Sequence, residues 1–322
     1  MALRSPHRLR RLTGAALGLS LCALSAGGAT AQEVCGEEAA PDVLRIGVRS
    51  DARPFSYRAQ DGGAARFAGY TVGLCAEFAE ALRSTDGTRA CFREVDPQTR
   101  FRALDADAPA DLAIDMLCGA TTATLEVRRR FETSLYTFLT ATTYLHKPSA
   151  DLSGGAVVGV RKGTTSDEND KAWRPTIRYL ETAFPGVALT HRPMESHDQA
   201  ARALASGDID IYVADRPILT AILEKLAAED GFRIDDGVIV VQPYAVVFPK
   251  RADANGPRSD LAFRFNRFLI ERKFAPEHFA AFRKSLVELF GADLDVGFLR
   301  IARIQGAIPI GELAEAETAP RN

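Results

Sequence analysis

Short apolar runs alternate with helical segments along most of the chain, and this alternation limits the fold more than any other feature. The first unit begins with a strand-like run at residues 43–49, followed by a helix whose apolar stripe contains Cys75 and Phe78. Further strands are predicted at residues 89–95 and 111–117. Strands that alternate with helices favour a parallel α/β sheet over a sandwich or a helical bundle.

A second unit with the same order of elements follows residues 138–146. Its strands are predicted at residues 156–163, 189–193 and 208–215, with helices from about Thr165 and over residues 197–206. Residues 240–250 predict a strand that leaves this unit, and two helices over residues 258–273 and 276–288 follow. A chain that leaves one unit, builds another and returns crosses twice, which predicts a hinge with a ligand cleft.

These crossings define the predicted domains. Lobe 1 comprises residues 41–143 and 245–292, and lobe 2 comprises residues 144–244. Residues 293–322 form a C-terminal extension, whose polar end we expect to be disordered. Within lobe 1, Asp96 and Pro97 predict the start of a helix that carries Arg100 in its opening turns.

Residues 1–31 have the pattern of a cleavable secretory signal. A basic start precedes an apolar run and a small-residue cleavage site, Ala29-Thr30-Ala31. The apolar run holds roughly 15 residues, whereas a spanning helix needs about 20. Lipidation at Cys22 is disfavoured because Leu21 precedes it. We therefore predict a periplasmic protein, whose mature part has 36 basic against 42 acidic side chains and no surface suited to nucleic acid.

Four cysteines remain after the signal, an even number that fits an oxidising compartment. Three pairings are open, and buried free thiols are the alternative to any of them. Cys118 leaves a strand at the end of the sheet where the helix bearing Cys75 begins, while Cys35 and Cys91 lie at the opposite edge. The layout therefore predicts Cys75–Cys118 and Cys35–Cys91.

A search for catalytic chemistry finds no convincing cluster. No zinc, P-loop, nucleophile-elbow or dinucleotide motif is present, and the mature histidines are scattered: His146, His191, His197 and His278. Arg49 ends the first strand, and the turns Gly119–Thr122 and Gly163–Ser166 each follow a strand. Such turns offer N–H groups and hydroxyls to a carboxylate, although either one alone is as readily explained by helix capping.

The chain resembles the periplasmic solute-binding proteins of polar amino-acid ABC transporters, most closely the glutamate/aspartate-binding branch. Seven segments carry the resemblance in family order: LRIGVRSDARPFSY, FAGYTVGLCAEFAEAL, QTRFRAL, CGATTATLE, VRKGTTS, SHDQAARALASGDIDIYVADRPIL and AVVFPK. The resemblance implies a type II periplasmic binding protein fold, with two α/β lobes on a two-strand hinge. It also implies a monomer that binds an amino acid, meets a permease and needs no cofactor or metal.

The resemblance implies a set of ligand contacts. Arg49 and Arg100 would bind ligand carboxylate, since planar guanidinium groups grip it with paired hydrogen bonds. Asp215 would bind the ligand ammonium, and Phe55 and Tyr70 would line the cleft. The remaining predicted contacts are Ala120, Thr121, Thr122, Thr164, Thr165 and His197.

The chain departs from the family at several positions, which leave the ligand itself open. Val127 follows Glu126 where most members have arginine, and Arg128 stands one place later. We therefore predict a non-enzymatic binding protein for an acidic or polar amino acid without naming the ligand. The alternatives are a cyclohexadienyl-type dehydratase on the same scaffold and a receptor for a sensor protein.

Overall fold

Two mixed β-sheets form the centres of two lobes in the computed structural model. The structure describes residues 33–36, 43–59, 66–167, 173–226, 231–250, 260–291 and 294–307. The predicted signal segment, residues 1–31, and the polar end, residues 308–322, lie outside these described residues. Within them, no helix is both long and apolar enough to cross a membrane.

The first sheet belongs to lobe 1 and is built around a buried central strand. In spatial order its strands are β5 (Ala90–Glu94), β1 (Leu44–Val48), β6 (Met116–Cys118), β14 (Val247–Pro249) and β7 (Phe131–Thr133). β1 pairs in parallel with β5 and β6, whereas β14 is antiparallel to β6 and β7. A small antiparallel sheet beside it contains β2 (Asp51–Ala52), β3 (Ser56–Ala59) and β4 (Arg66–Ala68).

The second sheet belongs to lobe 2 and repeats the parallel centre. In spatial order its strands are β10 (Leu189–Met194), β9 (Ala156–Arg161), β11 (Ile211–Asp215), β8 (Phe138–His146) and β12 (Arg233–Ile234). β13 (Val240–Tyr244) also pairs with β8. β9 is parallel to β10 and β11, and β8 is antiparallel to β11.

Eight α-helices flank these sheets in the described part of the chain. They are α1 (Tyr70–Asp86), α2 (Leu125–Arg130), α3 (Trp173–Ala183), α4 (His197–Ser206), α5 (Arg216–Leu223), α6 (Leu261–Leu269), α7 (Pro276–Phe290) and α8 (Val296–Gln305). The apolar stripe predicted for α1 is buried against lobe 1. The helix predicted from Asp96 is wrong beyond its first turn: a 3₁₀ turn, Arg102–Leu104, replaces it before Asp105 and Pro109.

The two lobes are connected by β8 and β13, which run antiparallel to each other. Residues 138–142 of β8 pair with residues 240–244 of β13, and β14 follows directly in the sheet of lobe 1. Phe138 and Tyr244, at the lobe 1 end of this ribbon, are fully buried. The Phe55 ring lies 5.0 Å from each of them, edge-on. Aromatic packing therefore fixes the crossing strands to lobe 1.

The C-terminal extension contributes to this anchor through α8. Phe298 is fully buried, and its ring centroid lies 5.3 Å from that of Phe138. Gln305 accepts a hydrogen bond from the Tyr136 N–H at 2.9 Å and donates one to the Tyr136 carbonyl at 3.1 Å. Residues 296–305 are thus part of the folded body, at the start of the hinge.

Both predicted disulfide bonds are confirmed. Cys75 of α1 joins Cys118 at the end of β6, with a Cα–Cα distance of 6.5 Å. Cys35 joins Cys91 of β5, with a Cα–Cα distance of 4.9 Å. The first bond ties the main helix of lobe 1 to the strand end that leads into the Gly119–Thr122 turn.

We expect Phe298→Ala to lower the free energy of unfolding by about 3–5 kcal/mol, because it leaves a cavity in the aromatic anchor. The matched control is Ile304→Ala on the same helix, where the side chain is 71% exposed. That variant should stay within about 0.5 kcal/mol of the unaltered protein. Urea unfolding followed by circular dichroism measures both, and equal costs would show that α8 does not depend on its buried face.

Candidate functional site

The strand ends of both lobes face a common cavity of about 1020 Å³. Residues that end or directly follow β1, β6, β9 and β11 line it, and Tyr244 of the hinge contributes as well. Open α/β sheets place their ligands at the carboxyl ends of parallel strands. The two-lobed topology brings two such edges together, and the cavity is the resulting candidate site.

Arg49 follows β1 and is 2% exposed. Its Nε and Nη2 atoms donate to Asp51 Oδ1 at 3.0 and 2.8 Å. Nη2 also lies 3.5 Å from Nε2 of His197, which belongs to lobe 2. The predicted arginine therefore lines the cavity, but a carboxylate of the protein already holds it.

Arg161 is the principal residue that the sequence analysis missed. It ends β9 and donates from Nε to Asp51 Oδ2 at 2.8 Å, so Asp51 connects the two lobes. Its Nη2 atom lies 3.5 Å from Asp96. A signal was available, because the same Gly-Val-Arg sequence stands at the ends of both strand segments, at residues 47–49 and 159–161.

Asp51 is held as an anion between these arginines. Burial alone would raise the pKa of its carboxyl, but the positive charges of Arg49 and Arg161 hold the pKa well below its usual range. A buried carboxylate with two guanidinium partners satisfies the condition for a stable internal ion pair. Asp51 is thus the electrostatic link between the lobes.

Arg100 lies in the turn after Asp96 and is 5% exposed. Its Nη1 atom donates to the carbonyls of Pro97 and, at 2.8 Å across the cleft, Gly163. Burial, together with the charges of Arg49 and Arg161, lowers the pKa of Arg100 to about 9, so it stays cationic at neutral pH. Its buried Nε atom has no hydrogen-bond partner. A buried unpaired donor is costly, and this one suits an anionic ligand group.

Asp215 ends β11 on the opposite wall of the cavity. Thr142 donates to its Oδ1 at 2.9 Å, and the Tyr244 hydroxyl donates to its Oδ2. Burial raises the pKa of Asp215, although both hydroxyls and Arg49 act in the opposite direction. Gln242 donates to Thr142 at 2.8 Å, so the hinge strand supports this carboxyl. Asp215 is predicted from the sequence, whereas its two hinge partners are not.

His197 begins α4 and is buried between the lobes. Its Nδ1 atom lies 2.8 Å from the Tyr212 hydroxyl, and its Nε2 atom faces Arg49. Because Arg49 can only donate, Nε2 is the acceptor and Nδ1 carries the hydrogen. Burial lowers the pKa of His197 to about 3, against a smaller opposing effect of Asp51. The ring is therefore neutral at physiological pH.

The two predicted turns contribute unequally. Ala120 and Thr122 line the cavity, as do Thr164 and Thr165. The Thr164 hydroxyl donates to the Arg161 carbonyl at 2.7 Å, so it fixes its own turn. Thr121 is a correction: its side chain is fully buried away from the cavity, because its carbonyl is drawn to the Ala245 N–H of the hinge at 3.1 Å.

Phe55 and Tyr70 are also corrections, since neither lines the cleft. Phe55 is fully buried in the aromatic anchor beside Phe138 and Tyr244. Tyr70 donates from its hydroxyl to the Thr137 carbonyl at 2.7 Å and lines a different cavity. Both rings pack at the hinge, because full burial of apolar surface is more favourable in free energy than contact with a polar cleft.

The displaced arginine of α2 does not reach the site. Val127 lines the cavity and packs with Phe131 in an apolar cluster. Arg128 donates to the Ala123 carbonyl at 3.3 Å and its guanidinium lies over the Tyr136 ring, outside the cavity lining. Val127 thus adds an apolar side chain to the lining, to which Arg129 and Arg130 of the same helix also contribute.

Comparison with known proteins supports the fold. No family model matches the chain. A glutamine-binding protein of Geobacillus stearothermophilus is 23% identical over 209 residues, which are 63% of this chain and 71% of the relative.

Solved structures give a longer alignment. An ancestral arginine-binding protein bound to arginine superposes with a TM-score of 0.59 at 21% identity, covering 78% of this chain and 99% of the other. An ancestral arginine-binding protein bound to glutamine gives a TM-score of 0.58 at 20% identity, covering 79% and 100%. The chain therefore has the type II periplasmic binding protein fold, with two α/β lobes.

We expect His197 to make the protein less stable in mild acid. An unfolded histidine gains a proton near pH 6.5, whereas His197 in the folded protein does so only near its pKa of about 3. The unfolded state therefore binds more protons, and the free energy of unfolding decreases as pH falls through this window. Asp51, whose pKa is lowered from 3.8, loses its contribution only at lower pH.

Urea unfolding at pH 7, 6 and 5 measures this effect. His197→Gln should reduce the loss of stability, which is at most about 1.4 kcal/mol per pH unit for one proton. The control is His278→Gln, which replaces an exposed histidine of α7 and should follow the unaltered protein. Identical pH profiles for all three proteins would contradict the assignment.

Gly163 of lobe 2 lies close to the Pro97–Gln98 backbone of lobe 1, and we expect Gly163→Ala to hinder closure. Its φ is 73°, and a Cβ there would lie 2.9 Å from the Gln98 nitrogen and 3.0 Å from the Pro97 carbonyl carbon. Gly207→Ala is the matched control, because Gly207 has a φ of 77° and nothing within 4 Å of such a Cβ. Both variants should lose stability, but only Gly163→Ala should raise the radius of gyration in X-ray scattering. The same radius for both would refute a role in closure.

Proposed function

We propose that this protein is an extracytoplasmic solute-binding protein that captures an acidic or polar amino acid between its lobes. The single observation that supports it most is the cavity at two facing sheet edges, which is lined by Arg100, whose buried Nε has no hydrogen-bond partner, and by Asp215 of the other lobe. An α-amino acid carries the two complementary charges. Its carboxylate fits the guanidinium, and its ammonium fits the carboxyl of Asp215.

The charge of the site favours an acidic or polar ligand over a cationic one. Arg49, Arg100 and Arg161 are all at least 95% buried and line the cavity. Arg129, Arg130 and Lys162 line the cavity as well, against only three lining carboxyls, so a guanidinium from the ligand would add to an excess of positive charge. Arginine, which an ancestral structural relative binds, is therefore not our proposed ligand here.

Ligand capture would work by closure about the β8–β13 hinge. Four polar contacts between described residues cross the cleft: Asp51 to Arg161, Asp96 to Arg161, Arg49 to His197, and Arg100 to the Gly163 carbonyl. A ligand that touches both walls adds contacts which exist only in the closed form, and so shifts the population towards it. We propose that a membrane permease of the ABC type recognises this closed form in the periplasm, and a sensor protein is the alternative partner.

The dehydratase alternative would need a cleft carboxyl that transfers a proton. Asp215 is the candidate because burial raises its pKa. However, each of its oxygens already accepts a hydrogen bond, from Thr142 and from Tyr244. This arrangement favours a fixed acceptor over a proton donor, so we expect binding without turnover of prephenate-like acids.

Titration calorimetry against the common amino acids tests the proposal. We expect an acidic or polar amino acid to bind, and Arg100→Gln to weaken that binding by about 2–5 kcal/mol because a buried charge contact is lost. The control is Arg128→Gln, which removes the same charge next to the cavity but outside its lining. Absence of binding by the unaltered protein, or equal losses in both variants, would refute the proposal.

A further inference from the structure

The arginines of the cleft are not equally available to a ligand. Arg161 donates from Nε to Asp51 and from Nη1 to the carbonyls of Lys162 and Met194, and its Nη2 pairs with Asp96. Arg49 donates from both Nε and Nη2 to Asp51. Arg100, by contrast, keeps a buried Nε atom without a partner.

Asp51 therefore lies between two cations, Arg49 and Arg161, in the kind of position where a ligand carboxylate would otherwise bind. Its Oδ1 binds Arg49 of lobe 1, and its Oδ2 binds Arg161 of lobe 2 at 2.8 Å. Its side chain is 16% exposed and does not line the cavity, so it neutralises the arginines from outside the cavity lining. The protein supplies its own anion for two of the three buried guanidinium groups of the cleft.

We propose that Asp51 is a specificity-determining residue: by neutralising Arg49 and Arg161, it limits the cleft to ligands that carry one net negative charge or none. This inference rests on the proposed function and specifies its ligand class. The three buried arginines of the cleft are matched in number by the carboxyls of Asp51, Asp167 and Asp215, with His197 neutral. A zwitterion with one further carboxylate adds one negative charge to this balance, whereas a dianion without an ammonium group adds two.

We expect the loss of the Asp51 charge to change this balance and, with it, the preferred ligand. Removing the Asp51 charge raises the net charge of the cleft by one, and at short range in a buried site one charge strongly alters which anion is preferred. The loss of the Asp51–Arg161 contact also weakens closure, but it does so for every ligand alike. The ratio of two ligand affinities therefore isolates the electrostatic effect from the closing effect.

The experiment measures binding of L-glutamate and glutarate by calorimetry, or of whichever amino acid binds best and its deamino acid. These ligands share a carbon skeleton and differ by the ammonium group. In Asp51→Asn we expect the affinity for glutarate relative to glutamate to rise at least tenfold. Asp51→Glu, which keeps the charge, should restore a ratio near that of the unaltered protein.

A matched control removes a carboxylate that touches no cleft arginine. Asp198 follows His197 in α4, is 64% exposed and pairs with Lys225. Asp198→Asn makes the same chemical change near the cleft, and the affinity ratio should remain within threefold. A rise in this variant equal to that of Asp51→Asn would overturn the proposal, because the effect would then be one of overall charge.

A second cleft variant covers the case in which Asp51→Asn does not fold. Arg161→Gln removes a cation while Asp51 remains, so the glutarate-to-glutamate ratio should fall. A ratio that rises or stays unchanged would overturn the role of Asp51. If the unaltered protein binds glutamate but Asp51→Asn stays within threefold of it, only this inference fails. If the unaltered protein binds no amino acid, the proposed function fails as well.

Discussion

Three guanidinium groups are buried in one narrow gap, and the rest of the site follows from the need to balance them. Like charges in a poorly hydrated space repel strongly unless an anion lies among them. Asp51 meets this need for Arg49 and Arg161, and it does so with one oxygen directed to each lobe. The contact that neutralises the cleft is therefore also a contact that closes it, which couples electrostatics to conformation.

Much of the fold could be predicted from residue patterns. The helix stripe of α1 and the strands β1, β9 and β11 follow the period expected for elements packed on a sheet, and the parallel topology was sufficient to pair the cysteines. The length of the helix from Asp96 could not be predicted in this way. Its N-terminal signals are sound, but its length depends on Asp105 and Pro109 and on packing that no local pattern records.

The candidate site shows the same division. Arg49, Arg100, His197 and Asp215 line the cavity. They could be proposed from the sequence because strand ends and helix starts can be located there. Thr121 faces away, since the direction of one side chain within a turn depends on a hydrogen bond from the distant Ala245. Arg161 was not predicted although it stands in the same Gly-Val-Arg sequence as Arg49, and Asp51 gains its role only when the lobes meet.

The aromatic anchor has a consequence for how the lobes move. Five rings surround Phe138, and Gln305 holds Tyr136 just before it, so the lobe 1 end of β8 is rigid. Bending is then confined to the few residues of the β8–β13 ribbon between the anchor and the sheet of lobe 2. A hinge of this short length lets each lobe rotate as a rigid body. We therefore expect ligands of different length to be accommodated by a change in the closure angle between the lobes rather than by a change within either lobe.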